Sequence, residues 1–374
     1  MASKNPKIFS FFSGAGFLDL GFEKSGSEIV FVNEIHEPFL QAYKYSRERL
    51  SIKPPCLGYD NSDINEFLDG KKSDELKSNV EQLKKKEIVG FIGGPPCPDF
   101  SVGGKNKGRT GKHGILSDVY VELILKMQPH FFLFENVKGL WRTKKHREYY
   151  EELKSKLFQK GYLLTERLIN ALEYGVPQDR ERIILIGFHK EFLVDNGKKT
   201  SVFGSYLEKF PWKSHIKYDK GKIFSQTWPK KTEFKEGRKT NQPKNIIPEL
   251  TVQHWFNLND VENHVNRVDF FQARAGLTKM QSVEEGDDSK KSYKRLHRWR
   301  YSPTACYGNN EVHLHPFYAR RLTASEALAL QSLPKEFELP EEISLTNKFK
   351  MIGNGVPFLA AKGVASSILS FITQ

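Results

Sequence analysis

The first half of the chain repeats one unit: a short run of β-branched and aromatic residues, a tight or polar turn, and a stretch whose apolar residues recur at helical spacing. Residues 8–12 form the first such run; Ser13-Gly14-Ala15-Gly16 follows, and Leu18 and Phe22 open a helical pattern. Further runs lie at 29–32, 88–92, 131–134 and 183–188, with helical stretches at 119–127 and 146–159 between them. Continuous apolar strands are buried on both faces, and strands that alternate with helices are joined by crossovers. The pattern predicts an α/β fold with a doubly wound, mostly parallel sheet, in which ligands sit beyond the carboxyl ends of the strands.

After residue 188 the alternation stops. Residues 190–320 are rich in Lys, include Trp212, Trp228, Trp255 and Trp299, and hold +9 of the formal +13 charge. At 374 residues the chain exceeds one domain of usual size, so this region reads as a second, smaller domain. Regularity returns where Thr323 and Glu326 stand at capping-box spacing before an apolar helix that Pro334 ends; residues 352–357 then lead into a last helix. The basic excess favours a polyanionic partner. No apolar run approaches the roughly 20 residues of a bilayer crossing. The N-terminus shows no signal-peptide pattern, so a soluble, cytoplasmic protein is expected. Cys56, Cys97 and Cys306 are scattered and suggest neither a disulfide framework nor a zinc site. A cysteine with chemistry to perform must act alone.

Several strand ends carry reactive or ligand-binding residue types. Gly14 and Gly16 permit a tight turn and close approach to a ligand. Glu34 ends the second strand about 20 positions further on, where a carboxylate accepts hydrogen bonds from ribose hydroxyls. Together they fit an adenosine-containing cofactor, and Asp63 would suit its adenine amino group. The next run ends in Gly93-Gly94-Pro95-Pro96-Cys97, where two prolines stiffen a loop that presents one thiol as a nucleophile. The following one delivers Glu135-Asn136; a carboxyl kept protonated by an apolar setting donates a hydrogen bond to a ring nitrogen. Alternation through residues 178–182 puts Gln178, Arg180 and Arg182 on one side, offering two cations to a phosphate and a base carbonyl. Each element alone also has a plainer reading: a structural turn for the glycines, a loop or cap for Asp63, a buried thiol for Cys97, a helix cap for Glu135, and a solvated edge for the arginines.

Taken in order, these elements resemble the cytosine-C5 DNA methyltransferase family of bacterial restriction-modification systems. The residues that carry the resemblance are Phe12, Gly14, Gly16, Asn33-Glu34, Pro96-Cys97 with Phe100-Ser101, Glu135-Asn136-Val137, Gln178 with Arg180 and Arg182, Arg321-Leu322-Thr323 with Glu326, and Gly353-Asn354 with Val356. The match covers most of the chain outside residues 190–320. It implies a Rossmann-like, S-adenosylmethionine-dependent enzyme. Phe12, Gly14, Gly16, Glu34, Ile35, Asp63 and Pro96 would bind S-adenosylmethionine, joined by Asn354 and Val356. Cys97 would attack C6 of a cytosine flipped out of double-stranded DNA, Glu135 would contact N3 and the exocyclic amine, Arg182 would reach O2, and Arg180 would sit near DNA phosphate.

The expected division is a catalytic and cofactor-binding domain at 1–189, a target-recognition domain at 190–335, and a segment at 336–374 that returns to the first. A monomer is expected, with a cognate restriction endonuclease as a functional rather than physical partner. DNA contacts are expected in residues 290–300, where Arg295, Arg298 and Arg300 can pair bidentately with guanine as well as with phosphate; the plainer reading is a solvated charge run. Two residues depart from the family pattern: Pro98 stands where many members carry Gln, and Phe17 where glycine is common. Three rival readings are a tRNA cytosine-C5 methyltransferase, a silent protein that binds DNA and cofactor, and a nicotinamide-dependent oxidoreductase. Retention of Cys97, Glu135 and Arg182 argues against the second; the third leaves the Pro-Pro-Cys loop and the 178–182 cluster unused.

Overall fold

The computed structural model describes residues 5–96, 115–198, 201–273, 276–290, 292–305, 307 and 312–373. Strands β1 (Lys7–Phe11), β2 (Glu28–Asn33), β3 (Tyr59–Asp60), β4 (Val89–Gly93), β5 (Phe131–Val137), β6 (Tyr162–Asn170), β7 (Glu181–His189), β8 (Val202–Phe203) and β9 (Tyr206–Leu207) form one sheet in the order β3-β2-β1-β4-β5-β7-β6-β9-β8. The first five pair in parallel. β7 enters antiparallel between β5 and β6. Strand order reverses at β1, so a crevice opens beyond the carboxyl ends of β1 and β4. This is the mostly parallel α/β architecture that the alternation predicts, with β8 and β9 carrying the sheet past residue 189.

Helices α1 (Phe17–Glu23), α2 (Glu37–Arg49), α3 (Lys71–Lys84), α4 (Ile115–Met127), α5 (Lys138–Arg142) and α6 (Lys144–Gln159) are interleaved with the strands. The basic region contributes α7 (Lys190–Asp195), α8 (Lys220–Ser225), α9 (Val252–Leu258), α10 (Leu277–Gln281) and a two-stranded pair, β10 (Lys294–Arg295) with β11 (His313–Leu314). The chain closes with α11 (Ala324–Leu330), α12 (Leu345–Asn354) and α13 (Phe358–Thr373). Successive residues of β1 serve opposite faces, as strand geometry requires. Ile8 packs with Leu18, Phe22, Leu40 and Val364 on one side. Phe9 and Phe11 pack with Val80, Tyr120 and Ile124 on the other. A third core joins Phe17 and Leu20 to Trp255, Leu296, Leu328, Phe337 and Ile352, tying the basic region and α11–α12 to the first turn. The stretch Leu345–Thr373 has the length and apolarity of a membrane span, yet it breaks at Gly355, and 56% of its most apolar 18-residue window is buried within the fold.

β6 is absent from the runs expected from sequence. Glu166 and Arg167 interrupt its apolar pattern, and each finds an opposite charge only after folding. Lys154 of α6 lies 3.2 Å from Glu166, and Arg167 lies 2.5 Å from Glu173. The capping box at Thr323 and Glu326 forms as its spacing predicts.

Candidate active site

β1 ends in a turn that is left-handed at Phe12 as well as at Gly14 and Gly16. The Phe12 ring stands edge-on to Tyr120, with centroids 6.0 Å apart. Glu34, buried at the end of β2, fastens this turn: its Oε2 accepts from Gly14 N at 2.8 Å and its Oε1 accepts from His36 N at 2.8 Å. Burial raises the Glu34 carboxyl above its ordinary pKa, against the hydrogen bonds from His36 and Gly14 and the charge of Lys350. Beside it Ile35 is 59% exposed, an apolar side chain left in the open. The His36 Nδ1 is buried and has no hydrogen-bond partner. Asp63 caps the short turn Ile64–Phe67, accepting from Asn65 N at 2.9 Å and from Asn65 Nδ2 at 2.7 Å through Oδ1. The cap reading of Asp63 is therefore the one its hydrogen bonds display.

Beneath the turn lies a polar cluster that sequence reasoning missed. Arg47 donates through Nη2 to Gly16 O at 2.6 Å, pairs with Glu23 at 2.9 Å and covers the Tyr43 ring at 4.3 Å. Tyr43 and Ser10 donate to the two oxygens of Asp19 at 3.0 and 2.9 Å. Burial pushes Asp19 up to about 7, opposed by Arg47. The available signal was Asp19 itself, a lone carboxylate in the apolar run from Phe17 to Phe22.

Across the crevice, Glu135 is buried near the end of β5, and Arg182 Nε lies 3.0 Å from its Oε1. Burial raises the Glu135 carboxyl above its ordinary pKa, while Arg182 and Arg180 pull it down. Gly94 borders the same carboxylate: a Cβ there would lie 2.8 Å from Glu135 Oε2, so any side chain would displace it. Glu135 does not cap the following helix. Val137 occupies the cap position, and Asn136 Oδ1 takes the Val137 N–H at 2.8 Å. Pro96 is exposed at the mouth of the crevice; Cys97 and Pro98, like Cys306, lie outside the described residues.

Arg180 does not occupy the position expected for a phosphate contact. It is 1% exposed, and its terminal nitrogens donate to Ala305 O at 3.0 Å and Gly353 O at 2.9 Å. Those two carbonyls hold it inside, where it braces the C-terminal segment against the 302–305 strip. Gln178 does similar work, donating to Leu330 O at 3.2 Å and accepting from Ala305 N at 3.0 Å. Asn354 is exposed at the end of α12 and Val356 is buried. Between them Gly355 presses on Phe17 so closely that a Cβ would lie 2.2 Å from the ring. Phe17 itself meets Phe337 edge-on, so its ring packs between the first turn and the C-terminal segment.

The three arginines expected to read DNA separate by burial. Arg295 is 1% exposed and donates to the carbonyls of Val283, Met280, His315 and Tyr318. Arg298 is 4% exposed, grips Glu285 through Nε at 2.8 Å and Nη2 at 2.9 Å, and donates to Arg238 O. Both are structural, because burial and these carbonyl and carboxylate partners turn the guanidiniums into the fold rather than toward solvent. Only Arg300 is half-exposed, with Asp288 3.7 Å away and the Tyr301 ring 5.3 Å away. It borders a concavity shared with Trp228, Lys230 and Lys231.

The C-5 cytosine-specific DNA methylase family matches residues 6–370. The type II methyltransferase M.NmeDI of Neisseria meningitidis serogroup C is 59% identical over 99% of this chain and 84% of its own length. The type II methyltransferase M.FnuDI of Fusobacterium nucleatum is 29% identical over 98% of this chain and 95% of its own. A solved structure of a mutant DNMT2 from Spodoptera frugiperda superposes with a TM-score of 0.57 at 17% identity, covering 99% of this chain and 100% of that one, which is a likeness of fold. The ordered site residues and these matches agree: the chain belongs to the C-5 cytosine-specific DNA methylase family and is a DNA (cytosine-5-)-methyltransferase of the bacterial restriction-modification type.

Proposed function

We propose that the chain methylates carbon 5 of a cytosine flipped out of a specific double-stranded DNA sequence, using S-adenosylmethionine and a transient bond between Cys97 and C6. The observation that carries this reading is the buried Glu135–Arg182 pair beside Gly94 at the carboxyl end of β5. The stacked base hides C6, so it must leave the duplex to reach this crevice. There the Glu135 carboxyl, which burial inclines to keep its proton, donates to N3, and the Arg182 guanidinium donates to O2. Both draw electrons from the ring as the Cys97 thiolate forms its Sγ–C6 bond, which leaves the electron pair of the opened double bond on C5. Once C5 is methylated, water takes the C5 proton, the electron pair of that bond re-forms the C5–C6 double bond and expels the Cys97 sulfur as thiolate, and the N3 proton returns to Glu135, restoring the aromatic ring.

S-adenosylmethionine supplies an electrophilic methyl group when bound. The turn after β1 suits its adenosyl part: a carboxylate pinned by the Gly14 and His36 amides, the open apolar side chain of Ile35, and an unpartnered His36 Nδ1. Phe12, Gly16, Asp63, Pro96, Asn354 and Val356 complete the proposed holding set. The same reading assigns residues 1–189 to catalysis and cofactor binding, 190–335 to target recognition, and 336–374 to a segment that returns to the first part. Packing of α13 on α1 and of Gly355 on Phe17 supports that return. We also assign a monomer acting in the cytoplasm, protecting DNA from a cognate restriction endonuclease.

The deciding experiment combines bisulfite sequencing of DNA from expressing cells with a trap, duplex DNA bearing 5-fluorocytosine at the methylated position. Wild type should form a covalent adduct, since fluorine cannot leave as a proton does. Cys97→Ser should bind the duplex yet neither methylate nor form the adduct. Full methylation by Cys97→Ser overturns the assignment of the nucleophile.

A further inference from the structure

A cavity of about 460 Å³ opens between β11 and α12, away from Glu135 and from the Gly14–Glu34 clamp. Tyr293, Tyr307, Phe271 and Phe349 line it with rings. The Arg321 guanidinium lies 5.3 Å from the Phe271 ring, with no ion pair among the described residues. His313 also lines the cavity, and it is 2% exposed. Its Nδ1 lies 3.5 Å from Tyr307 Oη, while its Nε2 has no hydrogen-bond partner among the described residues. Burial pushes this imidazole down to about 3, so it is neutral under working conditions. A buried ring nitrogen left unpaired is a rare and costly feature, and it calls for a ligand atom.

Rings on several sides, one edge-seeking neutral imidazole and one cation make up the chemistry that holds a nucleobase with its phosphate. The volume falls in the range of about 300–1,000 Å³ typical of small-ligand sites and exceeds what a single base needs. The substrate of this enzyme is DNA, and extruding one cytosine leaves neighbouring bases poorly stacked. We propose that this cavity receives a second unstacked base of the DNA substrate, distinct from the cytosine being methylated, with His313 Nε2 on its edge, the aromatic rings on its faces and Arg321 toward its phosphate. The site fixes the register of the opened duplex and does not depend on the identity of the methyl donor.

The test is photochemical crosslinking with 5-iodouracil, which couples to adjacent aromatic side chains. It is placed at successive positions on both strands around the cytosine that bisulfite sequencing shows to be methylated, and is also offered as free 5-iodo-2′-deoxyuridine monophosphate. Mass spectrometry of the wild-type complex should find crosslinks from one duplex position to Tyr293, Tyr307, His313 or Phe349. His313→Phe and Tyr293→Asn should each weaken binding of that duplex by about fivefold or more, the scale of a lost base–aromatic contact. Tyr293 has a left-handed backbone, which Asn tolerates, so this variant decides the matter if His313→Phe does not fold. Crosslinks from the free nucleotide alone would make this a nucleotide site and overturn the assignment to DNA. Absence of crosslinks to these residues in both arms, or unchanged duplex binding by the folded variants, overturns the proposal.

Discussion

Arg182 reaches diagonally across the antiparallel β5–β7 pair and brings its Nε to 3.0 Å from Glu135 Oε1. Its direct partner in register is Val137, two residues beyond Glu135 and therefore on the same face of the sheet. The reversal of β7 makes this meeting possible: a parallel strand there would bring the amino-terminal residues of β7 to the other end of β5. A carboxyl group and a guanidinium are thus fixed on rigid strands, where the charge of Arg182 lowers the Glu135 pKa against the burial that raises it.

Glu135→Gln should lower methyl transfer by about a hundredfold or more, the smaller end of losses for a positioned proton donor. Its thermal midpoint should stay near wild type, because no helix cap is lost. Labelled-methyl transfer and calorimetry on the same preparation check both halves. A variant that unfolds would return Glu135 to a packing role.

Glu34→Ala removes the acceptor of two backbone N–H groups and the group proposed to meet ribose hydroxyls. Affinity for S-adenosylhomocysteine, measured by titration calorimetry, should fall about tenfold or more, as expected when hydrogen bonds to a charged group worth about 1.5–3 kcal/mol each are lost. Unchanged affinity would remove Glu34 from the cofactor site.

Arg298→Ala should destabilise the fold by about 3–5 kcal/mol, because it strands the buried Glu285 carboxylate without its partner. Arg295→Ala should also destabilise, by stripping donors from four carbonyls. Arg300→Ala should leave the denaturation midpoint in place and instead reduce the salt slope of DNA binding by about one unit. Equal stability for all three variants would contradict the burial pattern that separates them.

Asp19 gives stability a pH dependence of definite sign. Burial raises its pKa from 3.8 to about 7. Between those values the folded chain holds a proton that the unfolded chain has released, so this group's stabilisation is complete below the lower value and is lost as pH rises through the upper one. Asp19→Asn can accept from one of Ser10 and Tyr43 and donate through Nδ2 to the hydroxyl oxygen of the other, but cannot titrate. The difference in thermal midpoint between wild type and variant should shift steadily against wild type as pH rises across that interval. A difference that stays constant with pH would show that Asp19 does not titrate there.

The chain by itself nominated the residues proposed to do the chemistry. Glycines after β1, Glu34 after β2, Pro96 after β4 and Glu135 at the end of β5 were legible because a strand's apolar run and the residue that ends it are adjacent in sequence, and ligands gather at the carboxyl ends of such strands. The capping box at Thr323 was legible for the same local reason. Tertiary structure alone decided what the charged residues inside the fold are for. Glu166 and Arg167 broke the apolar pattern of β6 until Lys154 and Glu173 met them. Arg180, Arg295 and Arg298 look in sequence like hands for DNA, and each is enclosed by carbonyls or a carboxylate that the fold delivers from distant segments. A guanidinium has the same five donors wherever it stands. Whether they meet backbone, carboxylate or solvent depends on segments more than a hundred residues away for Arg180 and 12 to 60 residues away for Arg295 and Arg298, and no local pattern records that.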